Sequence, residues 1–586
     1  MRKIRTKKGK NVLLFLKNHV SEVLLAVLCF GILVSHTFYV VSTYQYPEMD
    51  EQLYIGIATE FYRILQSPTL DSPLKMNQYL LDHPPFRPPL YPLTITSILL
   101  FTGIQNSYKI ALWLNCIYFI ITVVFIYLIA KQIISKTASL MASLLFASFG
   151  WTLFYLHFTY SETATTAFVA VCIYLLIKAD YLKNRKYSIL FGIAFALGLF
   201  TRWVIPLFLS GPFIFIVYRF LILKTKVTKE MIKNATYVVL ILLPVIIFHF
   251  IDIKGFGSYI TSQAASGPLQ SLVPAERRNF FSYASAVYYI KVFEQLTIFF
   301  FALMVIGIGF CTTKFKKYGL FLLWFLVPYI IFSFAVIIKD DRYIVPIYPF
   351  VALVSAVFIE EIRNKNFKVI LISIVIIISS FSFFGALWAI GPMSKGLDSF
   401  LLKMPIGHER RIHTAPIVWP PAKNFSNAEI IMSTLSYDIE MTKTKDPIIL
   451  NLFSIHPLEN ALFSINVYQR IRPYNFTNLV GSSGAGAAID AIANSSYLIL
   501  KSGQVSDNYF PRNNYILLDA TARSVRDKWE NLKENYMFIE KVSIPFDKSF
   551  VEIYRRKAEI RKEALIELGE MIEIQQNRKV DGESQL

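Results

Sequence analysis

In a chain dominated by apolar runs, the ionisable side chains between those runs are the first place to look for chemistry. Asp50 and Glu51 follow the first apolar run within a few residues, in the segment YPEMDE (46–51). His83 and Arg87 lie in HPPFRPPLYP (83–92), Glu162 in FTYSETA (158–164), Arg202 in FALGLFTRW (195–203), and Arg342 in KDDRY (339–343). Ionisable groups at membrane depth are costly, so each is a candidate for function unless a solvated loop explains it. Adjacent carboxylates at a membrane surface can deprotonate a hydroxyl or hold a divalent cation. Arginines at the same depth can grip a phosphate through paired hydrogen bonds. Together they suit transfer of a group from a membrane-anchored phosphate to a hydroxyl. Each residue also has a plainer explanation. Asp50 and Glu51 fit a solvated helix start, where acids favour the dipole. Glu162 fits an interfacial carboxylate, and His83 before two prolines fits a turn. Arg87 and Arg202 fit side chains reaching lipid headgroups, and Arg342 fits a pair with Asp340 or Asp341.

The elements that would position these groups follow from hydropathy. Of 586 residues only 17% are charged, and the mean hydropathy is +0.47, so a large part of the chain must face lipid. Taking about 20 apolar residues per span predicts about eleven transmembrane helices. They fall near 20–43, 108–131, 137–156, 162–178, 187–201, 203–222, 235–251, 290–312, 318–338, 343–360 and 367–390. The net charge of +19 resides in short loops such as KADYLKNRK (178–186), KTKVTK (224–229) and TKFKK (313–317). That pattern signals orientation, and it argues against nucleic acid as a partner. Alternate connections are basic, which puts the N-terminus in the cytoplasm and everything after residue 390 outside. A plasma-membrane location is expected. PLYPLTITSILLFTG (89–103) would reverse the charge pattern if it spanned, so it is expected to be interfacial or re-entrant within a first external loop, 44–107.

Two domains are expected, 1–390 in the membrane and 391–586 outside it. The latter alternates β-branched runs, PIILNLF (447–453), SYLILK (496–501), NYILL (514–518) and FVEIY (550–554), with helical patterns at 458–471 and 521–535. This predicts an extracytoplasmic α/β domain, ending in a charged amphipathic helix over about 555–577. The fold class is thus a polytopic α-helical membrane protein with a C-terminal α/β domain. Cys29, Cys116, Cys172 and Cys311 all sit in apolar runs, as buried small hydrophobes do. Gly481–Gly486 lacks the Lys-Ser/Thr ending of a nucleotide loop and is expected to be a turn.

The Asp50-Glu51 pair followed by HPPFRPPLYPL, then FTYSETA, FALGLFTRW and DRYIVPIYPFVALVSA in that order, resembles the GT-C superfamily of integral-membrane glycosyltransferases. The likeness is to the branch of protein O-mannosyltransferases and aminoarabinose transferases, over roughly 20–360. It implies inverting transfer of a sugar from a polyprenyl- or dolichyl-phosphate donor to a hydroxyl of a protein, lipid or glycan on the outer face. It further implies that Asp50 is the base, supported by Glu51, and that His83 and Arg87 close over the site. Glu162 would lie at an acidic position associated with a metal or the active site, so a divalent cation stays open as cofactor. Arg202 stands where the family more often has Lys facing phosphate, and Arg342 is a further phosphate candidate. The rival reading is a polytopic transporter or lipid flippase. It predicts paired half-repeats and polar breaks at the bilayer midplane, whereas the polar groups here crowd one face.

Overall fold

The computed structural model describes residues 19–42, 49–82, 88–103, 107–224, 226–251, 296, 298–334, 341–388, 400–403, 409–412, 426–444, 447–452, 475–477, 484–502, 516–544 and 549–583. By internal packing the chain forms two compact units. One comprises 1–42 with 57–421, the other 43–56 with 422–586.

The first unit is a helical bundle. Its helices are α1 (Val20–Ser42), α2 (Met49–Gln66, of which the part from Ile57 belongs to this unit), α3 (Ser72–Asp82), α4 (Leu90–Thr102), α5 (Ser107–Ala130), α6 (Lys136–Ser148), α7 (Gly150–Leu156) and α8 (Glu162–Lys178). Then come α9 (Arg185–Thr201), α10 (Ile205–Leu221), α11 (Lys229–Ile251), α12 (Ile298–Thr313), α13 (Phe315–Phe334), α14 (Tyr348–Glu361) and α15 (Lys365–Trp388), with a 3-10 helix at Asp341–Ile347 before α14. Among the described residues six helices are long and apolar enough to cross a membrane, or up to seven if α6 and α7, bent by 62°, form one span. The chain is therefore a polytopic helical membrane protein. At 13 residues, α4 is shorter than the roughly 20 residues a span requires.

Burial separates the helices that hold the bundle together from those that face lipid. The window Arg342–Glu361 is 83% buried, whereas the more apolar Lys365–Phe384 is 22% buried. On α15 Ile376, Ile377, Phe381 and Phe384 stay exposed, which only a hydrocarbon solvent tolerates at this density. The basic turns are knitted together. Glu22 pairs with Lys131 at 2.9 Å and Lys136 at 3.1 Å. Ser135 Oγ donates to Glu360, which also meets Lys368 at 3.8 Å, while Lys314 and Tyr318 hold Glu361. The alternation counted in the sequence thus places these turns at one end of the bundle.

Helix packing in lipid relies on close backbone approach, and Gly211 of α10 shows it. A Cβ there would collide with the Leu323 carbonyl oxygen and lie 2.8 Å from Trp324 Cα on α13. Gly211→Ala is expected to force α10 and α13 apart and cost about 1–3 kcal/mol, read as a lower Tm of the purified protein. Gly309→Ala, where the added methyl meets nothing within 4 Å, is the control and should leave Tm unchanged.

The second unit carries a five-stranded sheet in the order β4-β3-β5-β7-β6, built from β3 (Ile448–Asn451), β4 (Asn475–Thr477), β5 (Tyr497–Lys501), β6 (Tyr536–Ile544) and β7 (Ser549–Arg556). β3 runs parallel to β4 and β5, and β7 runs antiparallel to β5 and β6. Helices α16 (Ser426–Thr442), α17 (Ala485–Asn494), α18 (Ile516–Asp527), α19 (Trp529–Leu532) and α20 (Lys562–Glu583) complete the unit. A separate hairpin, within the first unit, pairs β1 (Phe400–Lys403) with β2 (Glu409–Ile412). Asp438 of α16 accepts from Arg555 at 2.8 and 2.9 Å and from the Tyr497 hydroxyl at 2.8 Å, tying a helix to two strands.

The structure corrects the expected strand at 514–518. From Ile516 the chain is helical, because Leu517, Leu518, Thr521, Ala522 and Val525 recur at helical spacing and are all buried. A short apolar run alone does not separate strand from helix. The terminal helix starts at Lys562, since Arg555 and Arg556 still belong to β7. The expected helix at 458–471 lies outside the described residues.

Candidate active site

Glu162 is the first residue of α8 and is 2% exposed. Its carboxylate sits where the helix dipole favours negative charge. Thr165 Oγ1 donates to the Ser161 carbonyl and Thr166 Oγ1 to that of Glu162, both at 2.7 Å, and Thr163 Oγ1 donates to Tyr155 at 3.0 Å. Three hydroxyls thereby fix the first turn of α8.

Two guanidinium groups converge on this carboxylate. Arg202 ends α9 with an extended backbone, φ −160°, and its Nη1 forms an ion pair with Glu162 Oε1. Arg342, on the 3-10 helix before α14, brings its Nε to 3.9 Å from the same oxygen. Two tyrosines wall the pair. The Arg342 guanidinium lies 5.2 Å from the Tyr160 ring and 5.5 Å from the Tyr343 ring, and that of Arg202 lies 5.3 Å from Tyr343. Among the described residues the cluster brings two guanidinium groups to one buried carboxylate, in a low-dielectric setting where charge interactions are strong. Oε2 of Glu162 is buried and has no hydrogen-bond partner among the described residues.

Behind Glu162 a buried polar chain sets the height of the segment 157–161. Asn115 of α5 donates to the Phe158 carbonyl and accepts from the Tyr91 hydroxyl at 2.8 Å. Tyr91 belongs to α4, and Thr96 on the same helix donates to the Ala58 carbonyl of α2 at 2.9 Å. One chain of hydrogen bonds thus links α2, α4, α5 and the entry to α8. Beside it His36 of α1 holds the Leu112 carbonyl at 2.9 Å, and its ring stacks on His157 with centroids 5.4 Å apart. Tyr39 stacks on His157 at 3.6 Å.

Of the residues singled out in the sequence, Glu162, Arg202 and Arg342 come together, from positions up to 180 residues apart. Asp50 and Glu51 lie in the first turn of α2, with side chains outside the described residues, as are His83 and Arg87. Arg342 pairs across the bundle with Glu162, so the plainer reading as a local partner of Asp340 or Asp341 does not describe it fully. Glu162 as a metal ligand meets an obstacle, since a cation on Oε1 would face both guanidinium groups. Among the described residues no three His, Cys, Asp or Glu side chains cluster.

Sequence reasoning passed over Tyr160 and Tyr343, although each adjoins a motif residue, and over Asn115, His36 and His157. A lone amide within the 24-residue apolar run of α5 was the available signal, because a polar group at that depth needs a reason.

Residues 82–249 match the family model of dolichyl-phosphate-mannose-protein mannosyltransferases. That stretch includes His83, Arg87, Glu162 and Arg202. No curated protein matches the chain. Among solved structures the fold is similar to ArnT from Cupriavidus metallidurans bound to undecaprenyl phosphate, at 11% identity and a TM-score of 0.50, covering 91% of this chain and 98% of that one. The oligosaccharyltransferase of Archaeoglobus fulgidus, tethered with an acceptor peptide, matches at 11% identity and a TM-score of 0.46, covering 88% of this chain and 73% of that one. The family segment, which holds Glu162 and Arg202, and a fold like that of ArnT make this chain similar to the GT-C superfamily of glycosyltransferases, in its mannosyltransferase- and ArnT-like branch.

Proposed function

We propose that this protein transfers a sugar from a polyprenyl- or dolichyl-phosphate donor to a hydroxyl acceptor, with inversion at the anomeric carbon. The observation that carries the proposal is the convergence of the Arg202 and Arg342 guanidinium groups on the buried Glu162 carboxylate, two phosphate-binding side chains brought to one place. In this reading Arg202 and Arg342 hold the donor phosphate through charge-assisted hydrogen bonds, and Glu162 keeps both guanidinium groups aimed while the site is empty of donor. Asp50 takes the proton of the acceptor hydroxyl, with Glu51 beside it. The freed oxygen attacks the anomeric carbon, the bond from that carbon to the phosphate oxygen breaks, and the lipid phosphate leaves carrying the electron pair. Phosphate is a good leaving group, so no general acid is required. His83 and Arg87 close the loop over the sugar. The positive-inside pattern supports a cytoplasmic N-terminus, eleven spans and an external C-terminal domain, which puts this reaction on the outer face.

The test is sugar transfer by purified protein in detergent, with radiolabelled polyprenyl-phosphate sugars as donors and host membrane extract as acceptor. Arg202→Ala is expected to weaken the use of donor about 10–100-fold, the range for losing a charged hydrogen bond to phosphate of about 1.5–3 kcal/mol. A wild type that moves the lipid between leaflets and transfers nothing would favour the transporter reading. Unchanged donor use by Arg202→Ala would remove Arg202 from the phosphate site.

A further inference from the structure

Asn115 is a fully buried amide within the 24 residues of α5, and the proposed reaction gives it no part. A polar group at that depth is tolerated when its donor and its acceptor are both met across the bundle. Here both are. The Phe158 carbonyl can only accept, so it fixes the amide nitrogen on that side. Oδ1 is left to accept from the Tyr91 hydroxyl of α4 at 2.8 Å. Tyr91 is itself fully buried, so the amide has little freedom to turn.

Phe158 lies between the end of α7 at Leu156 and the start of α8 at Glu162. A carbonyl between two helices has no ladder partner of its own, which leaves it open to a side chain from a third helix. From Phe158 two routes lead to the guanidinium pair. Along the chain, four residues on, stands Glu162, which engages Arg202 and Arg342. Through space, the Phe158 ring stacks on Tyr160, with centroids 5.8 Å apart and planes 7° from parallel. The Tyr160 ring in turn lies 5.2 Å from the Arg342 guanidinium. Thr163 closes the segment at its base by donating to the Tyr155 carbonyl at 3.0 Å. Asn115 thus reaches both arginines through one backbone carbonyl.

We infer that Asn115 is a positioning residue for the donor-phosphate site, holding Phe158 so that Tyr160 and Glu162 aim Arg342 and Arg202. The inference rests on the phosphate role proposed for the two arginines. It is tested on the purified full chain in detergent, by equilibrium binding of a labelled polyprenyl-phosphate sugar beside Tm. Asn115→Leu keeps the size of the side chain and removes the amide. It is expected to weaken donor binding about 3–15-fold, the factor for one interhelical hydrogen bond. Ser143→Ala is the control: it removes an equally buried bond to α5, from Ser143 Oγ to the Val123 carbonyl at 2.8 Å, about 12 Å along the helix from Asn115. It should lower Tm and leave donor binding unchanged. In an Arg342→Ala background the effect of Asn115→Leu on donor binding should shrink, because one of its two routes is gone. Should Asn115→Leu fail to fold, Tyr91→Phe, which removes only the hydroxyl that orients the amide, decides by the same criteria. Unchanged donor binding, equal weakening by Ser143→Ala, or fully additive losses with Arg342→Ala overturns the inference. Unchanged donor binding by both Arg202→Ala and Arg342→Ala overturns the phosphate reading itself, and this inference with it.

Discussion

Asp50→Asn is expected to lower sugar transfer by about 10²–10⁴-fold, the usual contribution of a positioned general base. The substitution keeps the size of the side chain and removes only its ability to accept a proton. Asp50 occupies the first turn of α2, where losing a negative charge from the helix end costs about 0.3–1 kcal/mol. Tm should therefore fall by no more than a few degrees, which separates lost chemistry from lost fold. In the proposed reaction the base and the phosphate-binding arginines act separately, so donor affinity should stay near that of the wild type while the rate collapses. Equilibrium binding of a labelled polyprenyl-phosphate sugar, beside single-turnover transfer, measures the two separately. Full activity in Asp50→Asn would place the base elsewhere and leave the phosphate cluster untouched.

The second large effect is expected at Glu162. Its carboxylate is 2% exposed and faces the guanidinium groups of Arg202 and Arg342. Glu162→Gln leaves two cations half-buried without their shared counter-charge, and breaking a buried pair costs about 3–5 kcal/mol. The loss should appear as a marked fall in Tm. Combining Glu162→Gln with Arg202→Gln removes one of the stranded cations, so the double variant should be more stable than the sum of the two single changes implies. That non-additivity, of about 0.5–3 kcal/mol for residues in direct contact, is what a double-mutant cycle reads. Additive losses would mean that the ion pair contributes little and that Glu162 acts through its backbone and the first turn of α8. Adding the lipid phosphate to wild type should raise Tm, as any ligand of the native state does, and Arg202→Ala should lose that rise.

Much of this protein was determined by composition and periodicity. A bilayer forces each spanning segment to satisfy its own backbone hydrogen bonds, so among the described residues apolar length alone located helices where spans were expected, six of them long and apolar enough to cross a membrane, or up to seven if the bent pair is one span. Charge alternation likewise grouped the Lys-rich turns that the Glu22, Glu360 and Glu361 pairs bring together. In the second unit no such constraint operates. Ile516, Leu517 and Leu518 joined a helix and not a strand because their packing partners decided which face was buried. The β6 strand and helix α16 carried too weak a period to be read. At the site, residue types marked Glu162, Arg202 and Arg342 as costly at membrane depth. Only the tertiary structure decided that one carboxylate oxygen serves both arginines, since that depends on where the ends of α8 and α9 and the 3-10 helix before α14 meet. The same holds for Asn115, Tyr91 and Thr96, of which only the Asn115 amide stands out along the chain. Their role arises from hydrogen bonds between helices, because a buried polar group in lipid must find its partner across the bundle.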